Sequence, residues 1–195
     1  MAEPLTIARS ELILGGQKSG KSRRAELLAR QWLAQSPEHR AVMIATARPW
    51  DAEMRERIQR HQQDRAARVP GMSTVEEPLQ LAEAIAQHGA PYTLVVVDCL
   101  TLWLTNLLMP APGMELQEPA QAARLQTELL VQAIASATGP VVLVGNEIGL
   151  GVIPLGRETR AFVDALGLLN QEVAAACRRV TLMAAGLSLT LKDFS

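Results

Sequence analysis

Residues Gly15, Gly16, Gln17, Lys18, Ser19, Gly20, Lys21 and Ser22 spell a complete G-x-x-x-x-G-K-S run, a spacing suited to holding a phosphate chain. Its glycines let the backbone close round phosphate and turn its N–H groups inward at anionic oxygens. A helix-forming stretch starts at Lys21, so the positive end of that helix adds to the attraction. In this arrangement Lys21 reaches the β- and γ-phosphates and the Ser22 hydroxyl is offered to Mg²⁺. The apolar run Leu12-Ile13-Leu14 comes just before the loop. Strand, loop and helix in that order distinguish a nucleotide site from a glycine-rich turn that binds nothing. These residues read as a site for a nucleoside triphosphate.

A second candidate closes the segment Thr93-Leu94-Val95-Val96-Val97-Asp98. An acid at the end of such a strand helps hold Mg²⁺ in phosphate-loop proteins, and open α/β sheets bind ligands beyond the carboxyl ends of their strands. The plainer role for Asp98 is to cap the next helix, Cys99–Leu108. A third candidate is His61, among Arg55, Arg57, Arg60, Arg65 and Arg68. Arg57, His61 and Arg65 fall at i, i+4 and i+8 and share a helix face, overlapped by Met54 and Ile58. Ordinarily such a pattern is a solvated arginine-rich helix with one incidental histidine. It also suits phosphate chemistry, because neutral imidazole can attack phosphorus while guanidinium groups neutralise the transferred group. Spacing leaves both roles of His61 open. His39 and His88 read as surface residues. In Asn146–Pro154, Glu147 is either a general base for a substrate hydroxyl or, with Asn146, a partner for the loop's own N–H groups.

The elements that must position these residues alternate strand and helix. Apolar runs at Glu11–Leu14, Ala41–Ala45, Tyr92–Val97, Val141–Val144 and Val180–Ala184 are mostly unbroken, as in parallel strands buried on both faces. Helical stretches lie at Lys21–Gln35, Asp51–Arg68, Pro78–Gln87, Ala120–Ala137 and Arg160–Cys177. This order predicts an α/β fold: an open, mostly parallel sheet of the P-loop type with helices on both faces. After the turn at Gly186, Leu187–Leu191 alternates polar and apolar and predicts an antiparallel C-terminal edge strand. Met109–Pro119, with three prolines and a glycine, predicts a surface loop or lid.

The chain of 195 residues suits one domain, with residues 1–10 as an N-terminal extension. A net charge of −1 gives no electrostatic case for nucleic acid. Cys99 and Cys177 show no metal or redox spacing. With no signal-peptide pattern and no run of membrane-spanning length, the expectation is a soluble, cytoplasmic protein.

Taken together the motifs resemble one family, the bifunctional adenosylcobinamide kinase/adenosylcobinamide-phosphate guanylyltransferases of cobalamin biosynthesis. The resemblance runs from Glu11 to about Lys192. It rests on Leu12 through Arg23, Ile44-Ala45-Thr46-Ala47, Asp51-Ala52-Glu53-Met54 leading to His61, and Thr74 through Leu79. The more specific blocks are Cys99-Leu100-Thr101-Leu102-Trp103-Leu104-Thr105-Asn106 and Asn146-Glu147-Ile148-Gly149-Leu150-Gly151-Val152-Ile153-Pro154. The resemblance implies that ATP or GTP phosphorylates adenosylcobinamide, and that a histidine is then guanylylated by GTP and passes GMP to the cobinamide phosphate. His61 matches that histidine. Guanine-nucleotide contacts map onto Gly15–Ser22, Ala45, Thr46, Ala47, Gln62, Gln63, Asp64, Arg65, Glu76 and Asp98, with Mg²⁺ on Ser22 and Asp98. Relatives resemble homotrimers, with the apolar helix Leu100–Leu108 a candidate interface, and Trp103 is either a surface for the corrin ring or a helix residue packed in the core or at a subunit contact. Two other functions compete: a guanylyltransferase without kinase activity, and a P-loop NTPase that binds or moves a partner.

Overall fold

The computed structural model describes residues 6–49, 52–110, 118–152 and 154–194, and for Glu53, Arg57 and His61 the backbone alone. Seven strands form one sheet. They are β1 (Ser10–Gly15), β2 (Arg40–Ala45), β3 (Met72–Glu76), β4 (Thr93–Asp98), β5 (Val141–Val144), β6 (Arg179–Ala184) and β7 (Leu187–Asp193). Their spatial order is β3-β2-β4-β5-β1-β6-β7. All neighbours run parallel except β6 and β7. The helices are α1 (Lys21–Gln35), α2 (Ala52–Arg68), α3 (Leu81–His88), α4 (Leu100–Leu108), α5 (Pro119–Ser136) and α6 (Arg157–Ala176).

Every β1 and β5 residue is buried, as the unbroken apolar runs require. Strand alternation divides the core into two layers. Ile13, Val96, Val142 and Val144 pack with Ala25 and Leu28 of α1 on one face. Leu12, Leu14, Val97 and Leu143 pack with α3, α4, α5 and α6 on the other. The doubly wound architecture and the antiparallel C-terminal strand agree with expectation.

Two expectations need correction. The edge strand β3 escapes sequence reasoning, because Met-Ser-Thr-Val-Glu carries no apolar run and none of its residues is buried. The helix expected from Pro78 begins at Leu81. Glu77 accepts hydrogen bonds from the N–H groups of Leu79 and Gln80 at 2.9 and 2.8 Å, and this turn occupies the first positions. The apolar residues of α4 that gave it the look of an interface, Leu100, Trp103, Leu104 and Leu107, are core residues of the monomer. Trp103 is fully buried and its Nε1–H donates to Leu79 O at 2.8 Å, so it offers no surface to a ring. Exposed apolar side chains lie on β7 (Leu187, Leu189, Leu191) and at Leu150, Val152 and Leu155. Asp51, Ile153 and most of the Met109–Pro119 segment lie outside the described residues.

Candidate active site

The parallel register brings the expected ligand contacts to one edge. Ala45 pairs with Asp98 on one side and with Glu76 on the other, so the last residues of β2, β3 and β4 form a row. Next to β4 is β5, then β1, whose continuation is the phosphate loop. Gly15 shows why a glycine is needed at the start of the loop. Its φ is +154°, and an added Cβ would sit 2.4 Å from Met183 O and 2.6 Å from Ser19 Oγ. The loop is braced from both sides. Gly186 N–H in the β6–β7 turn donates to Ser19 O at 2.9 Å, and Glu147 N–H donates to Gly15 O at 3.0 Å. Gly16, Gln17 and Lys18 are exposed, while Ser19 is buried. Lys21 is buried at the base of the loop, donating to Gly16 O and lying 3.5 Å from Ser19 Oγ. Burial pushes its pKa below 10.5, against the opposing influence of Cys99 and Asp98.

The carboxylate of Asp98 accepts no hydrogen bond among the described residues, yet it lies close enough to Lys21 to act on its charge. Nor does the Ser22 hydroxyl carry a partner among them. Two free hard-oxygen donors beside the loop fit a Mg²⁺ ion shared with phosphate, which typically takes only one or two protein ligands. No group of three or more His, Cys, Asp or Glu that could hold a metal occurs among the described residues.

Beyond the row lies α2. Gln62 Nε2 donates to Glu76 Oε1 at 3.1 Å, joining two expected nucleotide contacts. Arg65 is buried, and its Nε finds no partner, a costly state for a donor unless a ligand meets it. Gln63 and Asp64 are exposed, and Asp64 pairs with Arg68 at 3.1 Å. His61 is in the same helix, directly before Gln62.

Thr46 is fully buried and its side chain serves the protein. Its hydroxyl donates to Cys99 O at 2.7 Å and accepts from Cys99 N–H at 2.9 Å. Asn106 Nδ2 then donates to Thr46 O and Pro78 O at 2.8 and 3.1 Å, tying the segments that follow β2 and β3 to α4. Only the family resemblance, through the Cys99–Asn106 block, singled out Asn106, and without a role. The thiols of Cys99 and Cys177 are buried and pushed up to about 11 and about 12 by that burial. Glu147 Oε1 accepts from Gly149 N–H at 2.6 Å, the loop-bonding role.

Fold and site together define a P-loop-type α/β protein. A structure of similar fold is the flagellar accessory protein FlaH from Methanocaldococcus jannaschii. Its TM-score is 0.51 at 11% identity, covering 96% of this chain and 80% of that one. The family model for cobinamide kinase / cobinamide phosphate guanyltransferase matches residues 11–191. The bifunctional adenosylcobalamin biosynthesis protein CobP of Pseudomonas aeruginosa is 44% identical over 183 residues, 93% of this chain and 96% of the relative. Its counterpart CobU of Escherichia coli is 35% identical over 187 residues, 93% and 98% of the two chains. The chain belongs to the cobinamide kinase / cobinamide phosphate guanyltransferase family.

Proposed function

We propose that this chain, acting as a single P-loop domain within a cytoplasmic homotrimer, carries out two reactions at one nucleotide site. In the first, ATP or GTP phosphorylates adenosylcobinamide. In the second, His61 attacks the α-phosphorus of GTP: a P–N bond forms, the bond to the β-phosphate's bridging oxygen breaks, and pyrophosphate leaves. A phosphate oxygen of the cobinamide phosphate then takes the GMP, the P–N bond breaks, and His61 is regenerated with adenosylcobinamide-GDP as product.

The observation that carries this reading is the row Ala45, Glu76 and Asp98 beside the phosphate loop, with Gln62 tying the His61 helix to that row. A nucleotide lying along the row has its phosphates at Gly15–Ser22 and its remainder towards Ala45–Ala47, Gln62–Arg65 and Glu76. The unmet Nε of Arg65 supports an anionic ligand on this side. Ser22 and Asp98 are the oxygens that would hold Mg²⁺, which when bound supplies charge neutralisation at the phosphates. Covalent transfer needs near-attack distances, so α2 must deliver His61 to the α-phosphate.

Incubation with Mg²⁺ and GTP labelled on the α-phosphate tests the reading. The expected result is protein-bound label that survives alkali, is released by acid and disappears in His61→Ala, with phosphorylation of adenosylcobinamide spared. Lys21→Ala is expected to damage both reactions. Bound GTP without retained label would leave His61 a solvated helix residue.

A further inference from the structure

Strand β5 lies between β1, which leads into the phosphate loop, and β4, which ends in Asp98. Whatever follows β5 therefore emerges between those two groups. Past Val144 the pairing with β1 continues, because Gly145 N–H donates to Ile13 O and Glu147 N–H to Gly15 O, both at 3.0 Å. A strand-like path kept to residue 147 also keeps the alternation of side chains. Val142 and Val144 pack on the α1 face and Leu143 on the other. Asn146 is the next residue of the first set, on the face from which Lys21 opens its helix.

The backbone of Asn146 is pinned by side chains from two helices. Its N–H donates to Thr101 Oγ1 of α4 at 2.9 Å, and its carbonyl accepts from Asn170 Nδ2 of α6 at 3.1 Å. Asn170 is 5% exposed and its own Oδ1 finds no partner. A buried amide left half-satisfied costs free energy, which makes sense where the carbonyl it holds must not move. The carboxamide of Asn146 itself is half-buried and bonds no described residue. Its backbone is pinned, and among the described residues its amide has nothing to donate to.

We propose that Asn146 is a catalytic residue of the phosphoryl transfer, its Nδ2–H donating to a γ-phosphoryl oxygen, with Thr101 and Asn170 as its positioning residues. This rests on the kinase reading above. In that step the acceptor hydroxyl oxygen bonds to Pγ while the bond from Pγ to the β–γ bridging oxygen breaks. The nucleoside diphosphate leaves with the electron pair, and the hydroxyl proton passes to water. A preset N–H meets the charge on the transferring group without reorganising. Guanylylation reacts at the α-phosphorus, two phosphates away, and depends on Asn146 less.

The test assays Asn146→Ala and Asn146→Asp for phosphorylation of adenosylcobinamide, with kcat and KM measured separately, beside guanylylation from α-labelled GTP and thermal melting. Loss of one preset donor should lower the kinase kcat about 10²-fold or more, with guanylylation falling at least about tenfold less. Thr101→Ser, which keeps the hydroxyl, should retain kcat, and Thr101→Val should lose it at little change in KM. A kinase kcat in Asn146→Ala within about threefold of wild type overturns the assignment. An equal fall in both reactions does so too, because it marks a merely structural role. Wild-type protein that never phosphorylates adenosylcobinamide overturns the kinase reading itself and the assignment with it, whatever the label on His61.

Discussion

Lys21 is the residue on which both proposed reactions converge, and its surroundings make a pH prediction. The ammonium is buried under its own loop and held by Gly16 O. Burial disfavours the charged form and pushes its pKa below 10.5, with Cys99 and Asp98 pulling the other way. A bound triphosphate adds negative charge and favours the ammonium again. The free protein therefore loses this charge at a lower pH than the complex does, and nucleotide affinity weakens as pH rises through the free-protein value. Complex formation in that window takes up a proton. Calorimetry in buffers of different ionisation enthalpy measures both effects. A Kd that stays flat to about pH 10, near the ordinary lysine range, would show that the lysine does not meet phosphate.

Helix α2 is where the site depends on an element rather than a residue. Its polar anchors include Gln62 to Glu76 at the site and Arg68 to Glu26 of α1 at 3.1 Å near its end. The side chain of Glu26 is only 9% exposed while that of Arg68 is 44% exposed, so removing the arginine strands the carboxylate more than it frees the cation. Arg68→Ala should cost about 1–2 kcal/mol of stability and raise KM for GTP in guanylylation, since the helix bearing His61 loses its distal tether. Urea denaturation and labelling kinetics read the two effects; a change in stability alone would disconnect the anchor from the site. The limits of sequence reading follow from the same elements. The phosphate loop and Asp98 were legible because each is a local signal, a glycine spacing or an apolar run ending in an acid. The contact between Gln62 and Glu76 was not, because it depends on β3, a polar edge strand without a hydrophobic period. The Thr46–Cys99–Asn106 knot was equally hidden. Its donors and acceptors lie up to 60 residues apart in the chain, and only the register of β2 against β4 brings them together.

At the scale of the whole molecule the two ends of β1 do different work. Its carboxyl end opens into the phosphate loop, while near its amino end Glu11 is a buried carboxylate, 1% exposed. Glu11 accepts from Arg24 Nε at 2.9 Å and Thr181 Oγ1 at 2.8 Å, and Arg179 lies 3.7 Å away. Arg179 in turn reaches Asp193 at 3.0 Å and the backbone of Thr6. One ionic cluster thus joins β1, α1, β6 and β7 and carries the antiparallel edge on the parallel sheet. Removing one member of such a cluster leaves the others charged and buried. Glu11→Ala should therefore cost about 3–5 kcal/mol, and Glu11→Gln less, since it keeps an acceptor for Thr181. Replacing both Glu11 and Arg179 with apolar residues of similar volume should recover much of the loss, because desolvation of the pair then disappears together with its attraction. Denaturant unfolding of the apolar single variants at Glu11 and at Arg179, and of the apolar double variant, distinguishes these effects. If the double variant is as unstable as the sum of its singles, the cluster contributes as independent bonds rather than as a mutually compensated set. Nucleotide KM of the folded fraction should change little in every variant, because the loop is braced separately by Gly186 and Glu147.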